Sequence, residues 1–308
     1  MKSCDEIFLK RTFYRFSQAF YFSDFEEKEE NISMGNDLHI HWDLIGMYQT
    51  DKALIEAIRT KVLWNPPNPK KDLNLEYEDT NDIIEGEFGQ PLNAEKVLKS
   101  HGLWNAKKQG FFIEAGASGG ELLSNTLYFE TKHNWTGLLV EPNPDWWNEL
   151  KSKNRNAWVL PHCLSTQNKV ELKDFYVFSK HFGDFGFWSR TEISDDLYNF
   201  FAKGDPDVIR KIKVQCFPLQ AVLDALNMPK IDYFSLDIEG SEYDVLKTLD
   251  FRKTNISLLG IEVFPTGGSD DPSRKNPGNK DKIHEYLKEN SYSYVNSVEI
   301  DDFFVKNI

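Results

Sequence analysis

From residue 110 onward, short apolar runs alternate with stretches whose apolar residues recur at helical spacing. Phe111-Phe112-Ile113 is the first predicted strand, followed by 137–140, 157–160, 233–238 and 258–263. These runs are continuous, as expected of strands covered on both faces of a parallel sheet. Helices are predicted between them over 122–130, 145–153 and 243–249. That succession predicts a doubly wound, Rossmann-like α/β sheet. A late helix over 283–290 precedes 292–298 and 303–305, which are predicted to close the sheet as an antiparallel edge hairpin.

Residues 1–108 read differently, as a helical and irregular extension to an α/β domain over 109–308. The stretch 44–64 predicts an amphipathic helix through Leu54, Ile55, Ile58, Val62 and Leu63, with Thr50 as N-cap. Asn65-Pro66-Pro67-Asn68-Pro69 ends it, because proline cannot continue a helix. A polar linker runs to about Glu87, and a second helix, 94–100, follows Asn93 and stops near Gly102. The aromatic run 7–22 is interrupted by Lys10, Arg11 and Arg15; it reads as a helix packed on the main domain, with a surface amphipathic helix as the other reading. Residues 24–30 are an acidic, solvated run, and 266–280 an exposed loop near the strand ends.

Composition narrows the function classes. A net charge of −13 argues against gripping nucleic acid by its phosphates. No apolar stretch reaches the roughly 18 residues of a membrane span, and no signal-peptide pattern is present. A soluble protein is expected, with the cytoplasm favoured. The cysteines Cys4, Cys163 and Cys216 match no metal spacing. Buried thiols are the plain reading; a Cys163–Cys216 disulfide is the alternative for a secretory protein. The sequons at Asn31, Asn134 and Asn255 do not decide between compartments.

The candidate chemistry begins where the first strand runs into Glu114-Ala115-Gly116-Ala117-Ser118-Gly119-Gly120. Glycines there allow positive φ and close approach of a ligand to the backbone. Acids end the later strands: Glu141 about 20 residues on, where a carboxylate can accept both ribose hydroxyls, then Asp237 and Glu262. Ligands of such sheets bind at the carboxyl ends of the strands, so these acids converge on one crevice. The dinucleotide fingerprint wants glycines at positions one, three and six; counted from Gly116, Ser118 and Glu121 stand at three and six, so NAD is disfavoured. Glu114 would repel a pyrophosphate but hold an ammonium group. The loop therefore points to S-adenosylmethionine, which carries an ammonium, a sulfonium and no phosphate.

Several blocks together resemble the FkbM family of methyltransferases, and within it the arthropod Star-like branch. They are 110–120, Ser124-Asn125-Thr126-Leu127, Asn134 to Leu139, Val140-Glu141-Pro142-Asn143-Pro144, Cys163-Leu164-Ser165-Thr166, Val214 to Leu219 and Ile231 to Glu242, all in the family's order across residues 40–306. The resemblance implies a class I methyltransferase fold. It implies a cofactor site of Glu114, Gly116, Ala117, Gly120, Glu141, Pro142, Cys163 and Leu164, with Glu141 on the ribose, Cys163 and Leu164 beside the adenine and Asp237 at the methionine end. It implies a small-molecule or glycan hydroxyl as acceptor. Family members usually carry lysine where Ser235 stands and often an acid where Thr166 stands. Star-like proteins are typically membrane-anchored proteins of the secretory pathway, with a role in moving other proteins. A second reading is therefore a catalytically silent binding or trafficking module with a protein partner.

A hydroxyl acceptor has to lose its proton, and ordinary carboxylates are weak bases for that step. Asp237, Glu239 and Glu262 are the candidate catalytic acids. As hard oxygen ligands they would also suit Mg²⁺ or Ca²⁺, which lowers an acceptor's pKa. The alternative for Glu239 is a cap on the helix that follows. Trp146 and Trp147 are read as packing against the sheet. The glycine-flanked aromatics over 182–188 suit either acceptor contact or local packing, and His162 and His181 are read as structural.

Overall fold

A computed structural model describes residues 40–76, 86, 88–178, 189–193, 195, 198, 199, 209–263 and 279–307. Cys4, the Asn31 sequon, the runs 7–22 and 24–30, the aromatic stretch 182–188 with His181, and most of the loop 266–280 lie outside the described residues.

Among the described residues the main sheet has seven strands: β1 (Phe111–Ala115), β2 (Thr136–Val140), β3 (Ala157–Leu160), β7 (Tyr233–Leu236), β8 (Leu258–Glu262), β9 (Tyr292–Val298) and β10 (Asp301–Lys306). Their order is β3-β2-β1-β7-β8-β10-β9. All pairings from β3 to β8 are parallel, and β10 alone runs against its neighbours. The predicted hairpin is thus present, with β10 inserted beside β8 and β9 at the edge. This is the Rossmann-like α/β class expected from the strand pattern.

Strand alternation sorts the core onto two faces. Phe111, Ile113, Leu138, Val140, Phe234, Leu236, Leu259 and Ile261 share one cluster with α1 (Lys52–Ala57, continued as a wider π-type turn over Ile58–Val62), α5 (Leu219–Ala225) and α7 (Lys280–Glu289). Phe112, Leu139, Tyr233, Leu258 and Phe303 face α2 (Gln90–Ser100) and α3 (Leu127–His133). Glu114 follows Phe112 and Glu262 follows Leu258 on this second face. The early segment joins the sheet: Leu54, Ile58 and Val62 lie in its core, and Trp64 bridges to Val159.

A smaller sheet, β4-β6-β5, was not anticipated. It consists of β4 (Cys163–Leu164), β5 (Glu171–Phe178) and β6 (Ile209–Phe217). Parallel pairing sets Cys163 opposite Cys216 with their Cα atoms 4.3 Å apart, and the two are joined as a disulfide. The plain reading of buried free thiols is corrected accordingly: the strand register, invisible in the spacing, brings them together. The bridge closes 53 residues, so chain entropy assigns it about 4 kcal/mol. Reductant, or the double variant C163A/C216A, is expected to lower stability by roughly 2–4 kcal/mol. Urea denaturation with and without reductant checks this; identical midpoints would contradict it.

Candidate functional site

The β1 loop is wedged between the tips of β2 and β7. The Gly116 and Ala117 amides both donate to Val140 O, each at 3.1 Å, and the Asp237 amide donates to Ala115 O at 3.1 Å. Gly116 has φ +92°, and a Cβ there would stand 2.1 Å from Asp237 O. Glycine is required at this position by both the dihedral and the contact. A Cβ on Gly120 would similarly meet Leu150 Cδ1 at 2.4 Å. These glycines serve close packing of the loop against its own neighbours.

Glu141 follows β2 directly and is buried. Its carboxylate accepts from the Ser118 and Asn143 amides, both at 2.7 Å. Its backbone carbonyl accepts from Trp147 Nε1 at 2.9 Å. Trp147, the first residue of α4 (Trp147–Ser152), also packs edge-on against Trp64. The packing role read for the tryptophan is the one found. Beyond Glu141, Pro142 lines a shallow depression with Trp147, Pro161 and His162. Leu164 faces the core, and the Cys163 sulfur is committed to its disulfide.

Glu114 is placed differently from the sequence expectation of an open ammonium ligand. It is 3% exposed. Its oxygens accept from Ser124 Oγ at 2.9 Å, Thr126 Oγ1 at 2.7 Å and the Asn125 amide. Arg155 lies across the same network, donating to Glu130 at 2.7 Å, to Thr126 Oγ1 and to Gly120 O. Burial raises the Glu114 pKa, and Arg155 and the three hydrogen bonds oppose the rise. Glu114 thus organises the segment 118–126. That capture also explains why helix α3 starts at Leu127 and not at 122: the polar groups of 124–126 turn back onto Glu114, and Leu123 takes φ +61°.

At the tips of β7 and β8 the candidate acids separate. Single ligand oxygens of Asp237, Glu242 and Glu262 lie within 4.8 Å of one another. Glu239 is diverted from this group. The turn after Asp237 gives Glu239 φ +61° and Gly240 φ +108°, and the Glu239 carboxylate pairs with Arg190. Glu242, absent from the sequence expectation, takes the third place. It opens α6 (Glu242–Leu246), and its Oε1 accepts from the Ile238 and Gly240 amides, both at 3.0 Å. Glu239 does not cap this helix: its N-cap is Ser241, and Glu242, an acid of its first turn, holds the turn that precedes it. The available signal was the third acid of the Asp237-Ile238-Glu239-Gly240-Ser241-Glu242 string.

Burial pushes the Glu242 carboxyl up to about 7, against the pull of its backbone hydrogen bonds. Glu262 is raised well above the usual carboxylate range by burial first, and then by Asp237, Glu239 and Glu242. Burial also raises Glu239, with Arg190 opposing. Ser235, opposite Glu114 in the β1–β7 register, is buried and accepts from Asn125 Nδ2 at 3.2 Å.

The arrangement is a Rossmann-like sheet with Glu141, Asp237 and Glu262 at or just past the carboxyl ends of its strands. The chain belongs to the family of the methyltransferase FkbM domain, whose model matches residues 114–294. No curated protein matches it. Among solved structures, a SAM dependent methyltransferase from Aquifex aeolicus is 13% identical, with 74% of this chain and 97% of that chain covered and a TM-score of 0.34. A delta-N METTL16 MTase domain is 12% identical, covering 82% of this chain and 92% of that chain at a TM-score of 0.33. Human methyltransferase 10 domain containing protein is 10% identical, covering 82% and 93% at 0.33. Among the described residues no helix is long and apolar enough to cross a membrane.

Proposed function

We propose that the protein is an S-adenosylmethionine-dependent methyltransferase acting on a hydroxyl of a small molecule or sugar. The observation that carries this reading is the wedge of the Gly116 turn between Glu141 and Asp237, the residues just past β2 and β7. Membership of the FkbM family supports it. The donor set fits the cofactor: the strand-tip acids favour a cationic ligand and repel a pyrophosphate. The cofactor supplies an electrophilic methyl carbon on a sulfonium.

In this reading Glu141 takes the ribose hydroxyls, Gly116, Ala117 and Gly120 shape the floor, and Pro142, Cys163 and Leu164 flank the adenine. Asp237 faces the methionine end. Glu114 acts through the loop, as a positioning residue. Methyl transfer is an in-line displacement, so holding the acceptor in line supplies much of the rate. The Glu242 carboxyl, pushed up to about 7, is a better proton acceptor for an alcohol than an ordinary carboxylate.

Calorimetry with S-adenosylhomocysteine tests the reading. The protein is expected to bind it, and Glu141→Ala to weaken binding about tenfold to a hundredfold, as for loss of hydrogen bonds to a charged group. No heat from the unaltered protein at millimolar ligand would refute it.

Ser235 favours a second reading, the silent Star-like module. A buried hydroxyl bonded to Asn125 stands where the family usually has a lysine. Ligand binding without turnover on a broad panel of hydroxyl acceptors would select this reading.

A further inference from the structure

The triplets Asn134-Trp135-Thr136 and Asn255-Ile256-Ser257 have the Asn-X-Ser/Thr form of a glycan acceptor. Such triplets are common by chance, and both lead into buried strand: Trp135 and Ile256 are 5% and 0% exposed. The asparagines themselves are exposed. Asn134 closes α3 in the left-handed region, at φ 52° and ψ 35°, a conformation that asparagine tolerates. Its Oδ1 accepts from Lys70 Nζ at 2.8 Å. Asn255 lies in the turn before β8, and its Oδ1 accepts from Lys306 Nζ at 3.5 Å. In both cases the lysine holds the oxygen and not Nδ2, the atom to which a sugar is joined.

The fold puts both asparagines at one end. Asn134 precedes β2 and Asn255 precedes β8, and these strands run parallel through β1 and β7. Both asparagines therefore stand at the amino edge of the sheet, opposite the edge that carries Glu141, Asp237 and Glu262. Each strand has five residues, which span about 16 Å. An independent observation points the same way. Cys163 and Cys216 are joined as a disulfide, and disulfides persist in oxidising compartments, the secretory pathway among them.

We propose that Asn134 and Asn255 carry N-linked oligosaccharides, and that the chain passes through the secretory pathway and not the cytoplasm favoured by its composition. The donor is an oligosaccharide on a polyprenyl pyrophosphate. Nδ2 bonds to C1 of the sugar, the bond from C1 to the pyrophosphate oxygen breaks, the lipid pyrophosphate leaves and the amide proton passes to a base of the transferase. Because Trp135 and Ile256 are buried after folding, transfer precedes the closing of β2 and β8. The finished fold then holds each bulky, solubilising group in solvent, clear of the strand tips. None of this rests on the methyltransferase reading.

The test uses the full chain with Asn31→Gln, which leaves these two triplets, sent through the secretory pathway of a eukaryotic cell behind a cleavable leader. Peptide-N-glycosidase is expected to remove two oligosaccharides and convert both asparagines to aspartate, read by intact mass and peptide mapping. Asn134→Gln and Asn255→Gln are each expected to lose one. Thr136→Ala and Ser257→Ala, which keep the asparagine and break the triplet, are expected to do the same. The chain drawn from the cells that naturally make it is expected to release the same two sugars. Disulfide-bonded protein with either asparagine unmodified, from either source, would overturn the proposal.

Discussion

Arg155→Ala is expected to destabilise the protein by about 3–5 kcal/mol, as removing one partner of a buried ion pair does. Arg155 and Glu130 are 1% and 3% exposed, so no water replaces the lost cation. The change also removes donors from Thr126 and Gly120 and the positive charge opposing Glu114. The pH dependence follows with a definite sign. Burial already raises the Glu114 carboxyl above its unfolded value, and Arg155 opposes that rise, so removing Arg155 raises the carboxyl further. Its neutral form is tolerated below the unfolded pKa, and stability is lost as pH rises through the folded one. The defect is therefore expected to shrink on going from about pH 7 to about pH 5. Urea denaturation at both pH values checks this. A loss under about 1 kcal/mol at neutral pH, the range of a surface ion pair, would show that the network does not hold the loop.

Gly116→Ala carries the second large effect. An L-residue at φ +92° is strained, and its Cβ would overlap the Asp237 carbonyl oxygen, which is backbone and cannot swing aside. Strain and overpacking together are expected to cost about 3 kcal/mol or more. Gly46→Ala is the internal control. Gly46 has φ +83° with nothing within 4 Å of a Cβ, so only the dihedral term applies there. Gly116→Ala is also expected to abolish S-adenosylhomocysteine binding, because the overlap separates the loop from Asp237. Equal losses in the two variants would place the cost in the dihedral alone and remove the wedge from the account.

The parallel strands were legible because burial on both faces forces continuous apolar runs, and 157–160 matches the observed β3 end to end. Strand β5 was hidden for the opposite reason. Its residues Glu171, Lys173 and Asp174 are only partly buried, and Asp174 pairs across the ladder with Lys211 and Lys213. Such a half-solvated ladder has no apolar signature. The disulfide was hidden with it, since the β4–β6 register decides which cysteines meet.

The site was legible by position more than by side-chain direction. Glu141, Asp237 and Glu262 lie at strand tips, where spacing put them. Glu114 and Glu239 do not stand open, because partners remote in sequence claim them: Ser124 to Thr126 for the first, Arg190 for the second. Strand pattern fixes the face a residue points to, but the donors waiting on that face belong to segments 10 to 50 residues away, counted from these pairs as |i−j| of 10 and 49. Glu242 was missed because the positive φ values at Glu239 and Gly240, which bring it back toward Asp237, leave no mark in hydrophobic periodicity.

The most direct measurement is a crystal structure of the chain grown with S-adenosylhomocysteine. The ligand is expected over the Gly116–Gly120 turn, with its ribose hydroxyls on Glu141 and its amino acid end toward Asp237. Ligand bound away from the carboxyl edge of β1, β2 and β7, or a crevice without ligand at saturating concentration, would contradict the account.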